Sequence, residues 1–480
     1  MGKRYLAVHS HFYQPPRHNP FTGEMPIELG AEPYQNFNEK INAECYRPNA
    51  EAGNFSHISF NVGPTLAAWL QNNDPCTYNL IIDSDRDHLR RFGIGNAIAQ
   101  VYNHTILPLA TTHEKRIQIS WGIADFIHRF GHRPEGLWLA ETAVDYESLA
   151  IMAEMGIKFT ILAPWQSAVP VDTTEPYWVR LPNGKQMVVF FYHDALSAAV
   201  SFDPNATVSA EVFSAEYLTK QLNQQKLTTD EPQLLLIATD GEVYGHHKPW
   251  RDQFLKYLLI DSAPSQEFEV VSLTRYLQLH LPHREALIEE DTSWSCHHGI
   301  KRWKDTCGCI EGNGSWKWHL RRALGRLAAK IDTVYEIQTA KTLRDPWMAL
   351  EDYINVKIGA LKWREFLSRY KADTVTNKEA VGVFRLLEAQ YYRQLMFTSC
   401  AFFFEDLDRI EPRNNIAMAA RAIELVREAG IINLEESFLD DFGPAKSWRT
   451  GKTGTEIYKE IVANRELRRK SGAGQGLTAA

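Results

Sequence analysis

The chain has 480 residues, 44% of them hydrophobic, and a net charge of -7 at pH 7, which predicts a folded protein of about two to three domains. The excess of acidic over basic residues argues against the basic surface that nucleic-acid binding requires. Neutral or small substrates are therefore the better prediction. The N-terminal segment reaches His9 before a signal-peptide apolar region could form, and no later segment is apolar enough to cross a bilayer. We therefore expect a soluble, cytoplasmic protein with no membrane or nucleic-acid partner, and six cysteines in this length indicate reduced thiols.

Short apolar segments alternate with helical patterns through the first 290 residues. Several of the segments are continuously apolar, as are strands that are covered on both faces of a parallel sheet. The alternation predicts an α/β fold, and the number of strands favours a barrel or near-barrel over a small doubly wound domain. The predicted strands are 4–11, 57–62, 78–85, 97–104, 135–141, 158–165, 187–194, 234–242 and 267–273.

The pattern changes after residue 290. Residues 291–318 combine four tryptophans and three cysteines with glycine and charge, which indicates an irregular connection. Apolar residues then recur at helical spacing, so 319–435 is predicted to be an α-helical bundle domain. The polar segment 436–480 ends rich in glycine and is predicted to be a fraying tail.

Polar side chains follow many of the predicted strands, where parallel barrels carry their catalytic groups. They are His9, His11, Asp83, Asp85, His104, Glu141, Trp165, His193, Asp194, Asp240 and Glu242. Two chemistries use such a set. Glu141 and Asp240 could form the carboxylate pair of a glycosidase. Alternatively, His9, His11, His104 and Asp240, with His193, could bind the metal ion of a barrel hydrolase.

Four ordered motifs resemble those of glycoside hydrolase family 57. They are HSHFYQP at 9–15, VYNHTILPL at 101–109, GLWLAE at 136–141 and ATDGEVYGHH at 238–247. The resemblance implies an incomplete (β/α)7 barrel and a retaining enzyme that acts on α-glucans or oligosaccharides without a metal or cofactor. By position in the motifs, Glu141 would be the nucleophile and Asp240 the general acid/base. The sequence after the nucleophile, ETAVDYESLA, departs from the family pattern and adds Asp145.

The remaining candidates receive substrate-binding roles, each with a structural alternative. His9, His11 and His104 could bond sugar hydroxyls or orient the nucleophile, or they could be structural strand-end histidines. Trp165 and Trp294 could stack on a sugar face or pack in a core. Asp194 and Glu242 could support the site or could be ordinary surface carboxylates.

The segment 291–318 has two interpretations. Cys296, His297 or His298, Cys307 and Cys309 could bind zinc, but their spacing fits common zinc motifs poorly. Packing of its tryptophans at a cleft wall or domain interface is the favoured alternative, so no metal is predicted. A non-catalytic carbohydrate-binding protein also stays open, although both carboxylates are present. Linkage specificity, the acceptor and the oligomeric state are not predicted.

Overall fold

The computed structural model describes residues 2–372 and 376–470, and these form two compact units. The first, here called the α/β unit, comprises residues up to 14, 27–102 and 122–295. The second, here called the helical unit, comprises 15–26, 103–121 and the chain from 296 onward. Each unit is therefore assembled from three separate stretches of sequence.

Within the described residues, the strands all lie in the α/β unit. They are β1 (Arg4–Phe12), β2 (Ser59–Val62), β3 (Ala99–Gln100), β4 (Leu137–Trp138), β5 (Phe159–Leu162), β6 (Tyr177–Arg180), β7 (Gln186–Phe191), β8 (Gln233–Asp240) and β9 (Phe268–Val270). β1 pairs in parallel with β2, β8 and β9. β3 pairs in parallel with β4, and β7 pairs in parallel with β5 and antiparallel with β6.

Single bridges connect these sheets. Phe60 of β2 pairs with Ala97 just before β3, and Gly136 just before β4 pairs with Phe159 of β5. His193, just after β7, donates its backbone N–H to Leu236 O of β8 at 2.7 Å. The parallel strands β1, β2, β3, β4, β5, β7 and β8 are thus joined side by side, and β8 returns to β1.

Both faces of the central strands are buried, which explains their continuous apolar sequences. Eight of the nine residues of β1 are buried, and Tyr5, Ala7, Phe159 and Leu236 pack in one hydrophobic cluster. A strand covered on both faces needs no polar alternation. The mixed α/β character predicted from the sequence is confirmed.

Helices alternate with strands along the chain in the α/β unit and make up most of the described helical unit. Those before residue 290 are α1 (Phe37–Ile41), α2 (Arg47–Glu51), α3 (Pro64–Asn73), α4 (Pro75–Phe92), α5 (Thr112–Phe130), α6 (Tyr146–Glu154), α7 (Asp194–Phe202), α8 (Ala210–Val212), α9 (Gln224–Thr229), α10 (Arg251–Tyr257), α11 (Ala263–Ser265) and α12 (Leu273–Leu279). Those that follow are α13 (Lys301–Lys304), α14 (Trp316–Thr339), α15 (Pro346–Lys357), α16 (Trp363–Tyr370), α17 (Asn377–Leu395), α18 (Cys400–Phe403), α19 (Ile410–Glu428), α20 (Glu435–Phe442) and α21 (Gly454–Lys470). Among the described helices, none is long and apolar enough to span a bilayer.

The strand predicted at 78–85 is wrong, because these residues belong to α4. Asp74 caps the helix by accepting from Thr77 N, and Pro75 occupies its first turn, both strong helix-start signals. Asp83 is exposed on the helix, and Asp85 is buried and accepts from His132 Nε2 at 2.7 Å. Neither carboxylate ends a strand.

The helical unit differs from the predicted boundaries at both ends. It includes 15–26 and 103–121, far upstream of residue 319. The predicted tail contains α20 and α21, because Phe438, Phe442, Ile457 and Tyr458 provide buried apolar faces that its polar composition conceals. The last part of that tail, 471–480, lies outside the described residues.

Candidate active site

The ends of β1, β2 and β8 bring the first predicted site residues together. His9 and His11 lie two residues apart on β1 and therefore face the same side. In the strand register, His11 is opposite Asp240 on β8 and opposite Asn61 on β2. The sequence predicted the strand-end positions of His9, His11 and Asp240, and the structure has them there.

Asn61 connects the two histidines. His9 Nε2 donates to Asn61 Oδ1 at 3.1 Å, and Asn61 Nδ2 donates to His11 Nδ1 at 2.8 Å and to Gln100 Oε1 at 2.7 Å. Burial lowers the pKa of both imidazoles to about 3, because a low-dielectric environment disfavours the charged form. His11 is therefore neutral, accepts at Nδ1 and carries its proton on Nε2.

Trp138 stacks against both imidazoles. Its ring centroid lies 4.9 Å from that of His9 and 5.0 Å from that of His11, in stacked geometry. Trp138 is fully buried and lies at the end of β4, three residues before Glu141. The histidines are thus fixed by a ring on one side and by Asn61 at their edges.

Glu141 lies in a tight turn after β4 with an unusual backbone. Its φ is 56°, and φ of Thr142 is 51°, both in the left-handed region that non-glycine residues rarely adopt. The buried side chain of Gln166 supports this turn. It accepts from Thr142 Oγ1 at 2.8 Å and from Ala163 N at 2.9 Å, and it donates to Thr142 O at 2.8 Å.

Two side chains donate to the Glu141 carboxylate. Trp294 Nε1 donates to Oε2 at 3.1 Å, and Ser295 Oγ donates to the same oxygen at 2.7 Å. Trp294 N also donates to the backbone carbonyl of Glu141 at 3.1 Å. Hydrogen bonds to a carboxylate favour its ionised form, so these contacts both orient Glu141 and stabilise its negative charge.

The segment 284–294 delivers these donors by pairing with successive loops of the α/β unit. It bonds to Trp178, then to Ala168 and Gln166, and then to Val144. Residues 291–295 therefore belong structurally to the α/β unit, although the sequence assigned them to a connection.

Asp240 ends β8, where the residue is accessible to solvent although protein atoms surround its carboxyl group. Burial raises the pKa of Asp240 well above its ordinary 3.8, and the charges of Glu242 and then Glu141 raise it further. Such a carboxyl holds its proton to higher pH than an ordinary aspartate does.

Glu242 is a buried carboxyl at the start of the loop after β8. Tyr46 Oη donates to Oε1 at 2.7 Å, and Tyr13 N donates to the same oxygen at 3.2 Å. Burial raises the pKa of Glu242 from 4.5 to about 7, and the hydrogen bonds from Tyr46 and Tyr13 oppose that rise. The charge of Glu242 raises the pKa of Asp240 more than the charge of Glu141 does.

The remaining predicted residues, Trp165, Asp194 and His104, follow other strands. Trp165 follows β5 with 44% of its side chain exposed, and its Nε1 donates to Ser293 O at 3.0 Å. Asp194 begins α7 after β7, is exposed, and lies 3.9 Å from His193 Nδ1. His104 belongs to the helical unit, where its Nδ1 lies 2.6 Å from Ser399 Oγ.

Sequence reasoning missed Asn61, Gln166, Ser295 and Tyr46. Asn61 had a usable signal, because it is a polar residue at the end of a predicted apolar strand. The other three had none, since their partners lie 24 to 196 residues away in the chain.

A family model named Glycosyl hydrolase family 57 matches residues 9–288, which include the end of β1, the strands β2 to β9, Glu141 and Asp240. The chain belongs to glycosyl hydrolase family 57. A second model, a domain of unknown function (DUF3536), matches residues 313–475. The family resemblance inferred from the four motifs is thus confirmed.

Two curated relatives match about half of this family 57 chain. The 4-alpha-glucanotransferase of Thermococcus litoralis is 22% identical over 263 residues, covering 51% of this chain and 36% of the relative. Alpha-amylase 1 of Dictyoglomus thermophilum is 24% identical over 246 residues, covering 50% of this chain and 32% of the relative. The matched parts span about a third of the length of these relatives.

Solved structures share the fold over most of the chain. An exo-type maltose-forming amylase from Pyrococcus sp. ST04 superposes with a TM-score of 0.73 at 16% identity, covering 95% of this chain and 88% of its own. A branching enzyme from Pyrococcus horikoshii superposes with a TM-score of 0.60 at 14% identity, covering 99% and 97%. At these identities the likeness establishes the fold alone.

Proposed function

We propose that the protein is a retaining glycoside hydrolase or glucanotransferase that acts on α-glucans, with Glu141 as nucleophile and Asp240 as general acid/base. One observation carries the proposal. Two donors stabilise the charge of Glu141, while burial and neighbouring charge raise the pKa of Asp240. A pair of carboxyl groups with opposite protonation preferences is what this chemistry requires.

In the first step, an ionised oxygen of Glu141 attacks the anomeric carbon and forms an ester with the sugar. The bond between that carbon and the glycosidic oxygen breaks, and Asp240 gives its proton to the departing oxygen. For this displacement, the two carboxyl groups must lie about 5 to 5.5 Å apart. The raised pKa of Asp240 keeps the required proton in place when substrate binds.

In the second step, ionised Asp240 removes a proton from an incoming hydroxyl. That oxygen attacks the anomeric carbon, the ester bond breaks and Glu141 is released as a carboxylate. Water as the acceptor gives hydrolysis, whereas a sugar hydroxyl gives transfer or branching. The names of the relatives and of the solved structures include an amylase, a glucanotransferase and a branching enzyme, which supports an α-glucan substrate for any of these outcomes.

We further propose that the seven joined parallel strands form an incomplete (β/α)7 barrel. The bridges between the sheets and the return of β8 to β1 support this description. Catalytic groups at the carboxyl ends of β1, β4 and β8 then follow the usual placement in barrel enzymes.

The substrate-binding roles of His9, His11, Trp165, Asp194, Glu242 and Trp294 belong to the same proposal. His11 supports it best, because its acceptor nitrogen is engaged by Asn61 and its proton therefore lies on Nε2, as a donor to a sugar hydroxyl requires. The exposed indole of Trp165 suits stacking on a sugar ring. His104 lies in the helical unit, and its substrate-binding role stays a prediction.

The alternative metal site finds less support. Nitrogens of His9 and His11 are engaged with Ser59 and Asn61. Within residues 2–372 and 376–470, no three ligand atoms of histidine, cysteine or carboxylate side chains converge around them.

The test is product analysis with maltooligosaccharide and amylose, with and without a chelator. We expect cleavage, transfer or branching by the natural chain and a loss of about a thousandfold or more in Glu141→Gln. Glu211→Gln, an exposed position at the start of α8, is the matched control and should keep full activity. Full activity in Glu141→Gln would refute the nucleophile assignment, and an inert natural chain would support a non-catalytic binding protein.

Azide separates the two carboxylate roles. In Glu141→Ala, azide should replace the nucleophile and give a β-glucosyl azide from an α-linked substrate. In Asp240→Ala with an activated substrate, azide should attack the enzyme ester and give the α-glucosyl azide. The opposite pattern of anomers would exchange the roles of the two residues.

A further inference from the structure

A cluster of three cysteines and one histidine lies in the helical unit, outside both family-model matches. It consists of Cys296, His298, Cys307 and Cys309, whose candidate ligand atoms all lie within 4.8 Å of one another. The matched regions are 9–288 and 313–475, so neither covers these residues. Here the four residues are called the cysteine cluster.

The distances within the cysteine cluster are those of ligands around one metal ion. Cys296 Sγ lies 3.5 Å from Cys307 Sγ and 3.7 Å from Cys309 Sγ. His298 Nδ1 lies 3.3 Å from Cys309 Sγ and 3.4 Å from Cys307 Sγ. Tetrahedral zinc, with Zn–S of about 2.3 Å and Zn–N of about 2.0 to 2.1 Å, separates its ligands by about 3.8 Å (S to S) and about 3.5 Å (S to N).

The same distances exclude disulfides in this arrangement, because bonded sulfurs are about 2.05 Å apart. We propose that the cysteine cluster is a structural zinc site with three thiolate ligands and the imidazole Nδ1 of His298. Four protein ligands leave no open position for substrate or water, which is typical of structural rather than catalytic zinc.

The local chain geometry suits such a site. Cys-x-His at 296–298 and Cys-x-Cys at 307–309 flank the short helix α13 (Lys301–Lys304), so one ion would close a loop of 14 residues. Cys296 and Cys307 are buried, whereas His298 is exposed, which leaves a route for the ion to enter from solvent.

Charge around the cysteine cluster also fits zinc. Three thiolates and one Zn²⁺ leave a net charge of -1, which a buried cation would compensate. Lys317 is fully buried near Cys296 and Cys307 and donates from Nζ to Arg302 O at 2.9 Å. Burial lowers the pKa of Lys317 to about 7, so it is only partly charged at neutral pH. Arg302 in turn donates from Nη2 to Cys309 O at 3.4 Å, so its guanidinium is the cation beside the cluster, where outer partners lie around other metal sites.

The experiment measures metal content by elemental mass spectrometry on the full chain, produced with zinc in the medium. We expect about one zinc per chain, and loss of that zinc in Cys307→Ser and in Cys309→Ser. Two matched controls should keep it. Cys76→Ser changes an exposed cysteine in α4, and His297→Ala changes the exposed histidine beside His298.

Cobalt provides a readout if the cysteine variants fail to fold. The natural chain, stripped of metal with a chelator and titrated with Co²⁺, should develop thiolate-to-cobalt charge transfer and the intense visible bands of tetrahedral cobalt. Added Zn²⁺ should abolish both and should raise the thermal unfolding temperature of the stripped chain.

Three results would overturn the proposal. The first is a chain without zinc that takes up no cobalt. The second is iron in place of zinc at the same stoichiometry. The third is equal zinc content in Cys307→Ser and the natural chain.

Discussion

Glu242 and Asp240 are carboxyl groups two residues apart whose ionisation is linked. The charge of Glu242 is the largest electrostatic contribution to the raised pKa of Asp240, ahead of that of Glu141. Burial raises the pKa of Glu242 to about 7, so its negative charge develops as the pH rises through that value. As Glu242 ionises, its negative charge therefore favours the protonated form of Asp240, which gives Glu242 a positioning role in the electrostatics of the site.

Neutralising Glu242 should move the alkaline limb of the activity profile. In Glu242→Gln the like charge is absent, so the pKa of Asp240 falls and its proton is lost at lower pH. We expect the alkaline limb of kcat/KM to shift down by about one pH unit. The Gln side chain can still accept from Tyr46 and Tyr13, which preserves the fold. An unchanged alkaline limb would show that the charge of Glu242 does not affect the pKa of Asp240.

The same substitution should change the dependence of stability on pH. Because the folded-state pKa of Glu242 is raised from 4.5 to about 7, the folded chain holds this proton longer than the unfolded chain. Stability therefore falls as pH rises between these values, by about 3 kcal/mol when complete. We expect Glu242→Gln to gain in unfolding temperature over the natural chain between pH 5 and pH 8. Glu211→Gln should show no such gain, and a parallel shift at all pH values would contradict the mechanism.

At single positions, the sequence predicted residues at strand ends and missed residues that the fold brings close from distant parts of the chain. His9, His11 and Asp240 follow apolar runs, so their placement could be inferred from the run itself. Ser295 reaches Glu141 across 154 residues. Such a partner depends on the route of the chain between them, which no local pattern specifies.

The turn that carries Glu141 depends on elements far from it in sequence. The side chain of Gln166, after β5, accepts hydrogen bonds from Thr142 and Ala163. Glu289 of the segment 284–294 donates its backbone N–H to Gln166 O at 2.9 Å. A left-handed turn of two non-glycine residues is unfavourable in isolation. These contacts hold it in place.

Removing the side-chain amide of Gln166 should release the turn. Gln166→Leu leaves buried groups of Thr142 and Ala163 without partners, which should cost about 2 to 4 kcal/mol of unfolding free energy. Glu141 then loses orientation, so we expect kcat to fall about tenfold with little change in KM. Gln186→Leu, an exposed position at the start of β7, is the control. Reduced stability with unchanged kcat would show that Gln166 supports the fold without positioning Glu141.

Among the elements, the bounds of long apolar strands could be predicted from the sequence, whereas the bounds of very short strands could not. β1 and β8 are nine and eight residues long and end close to their predicted limits. β3 and β4 have two residues each, so their predicted strands are mostly loops that deliver Glu141 and its neighbours. The antiparallel β6 escaped prediction altogether. The misassigned α4 contains the same Leu-Ile-Ile run that a buried strand would have, and only its Asp-Pro start distinguishes it.

At the scale of the whole molecule, the two units interleave along the chain. The helical unit takes 103–121 from between strands of the α/β unit. Trp121 in this stretch is fully buried and donates from Nε1 to Leu350 O at 3.2 Å and to Glu351 O at 3.1 Å. Glu114 pairs with Arg393 at 2.5 Å. Sequence patterns suggested consecutive domains because composition changes near residue 290. The unit to which a stretch of chain belongs depends instead on its contacts, which composition does not indicate.

A chain truncated after Ser295 should therefore fail to fold into a soluble protein. It would keep the proposed catalytic carboxylates but would expose Trp121 and leave Glu114 without Arg393. We expect aggregation in size-exclusion chromatography, and recovery of soluble material on co-expression with residues 296–480. A soluble, monomeric fragment of residues 1–295 would contradict this interdependence.

The left-handed backbone at Glu141 makes this position suitable for engineering synthesis in place of cleavage. Glycine adopts φ of 56° without the steric cost that any side chain carries there. Glu141→Gly would thus remove the nucleophile while it relaxes the turn. If the proposed chemistry holds, such a chain supplied with a β-glucosyl fluoride has an activated donor, an intact base in Asp240 and no means of hydrolysing its product. The backbone that strains the natural enzyme would then favour a catalyst that only builds glucans.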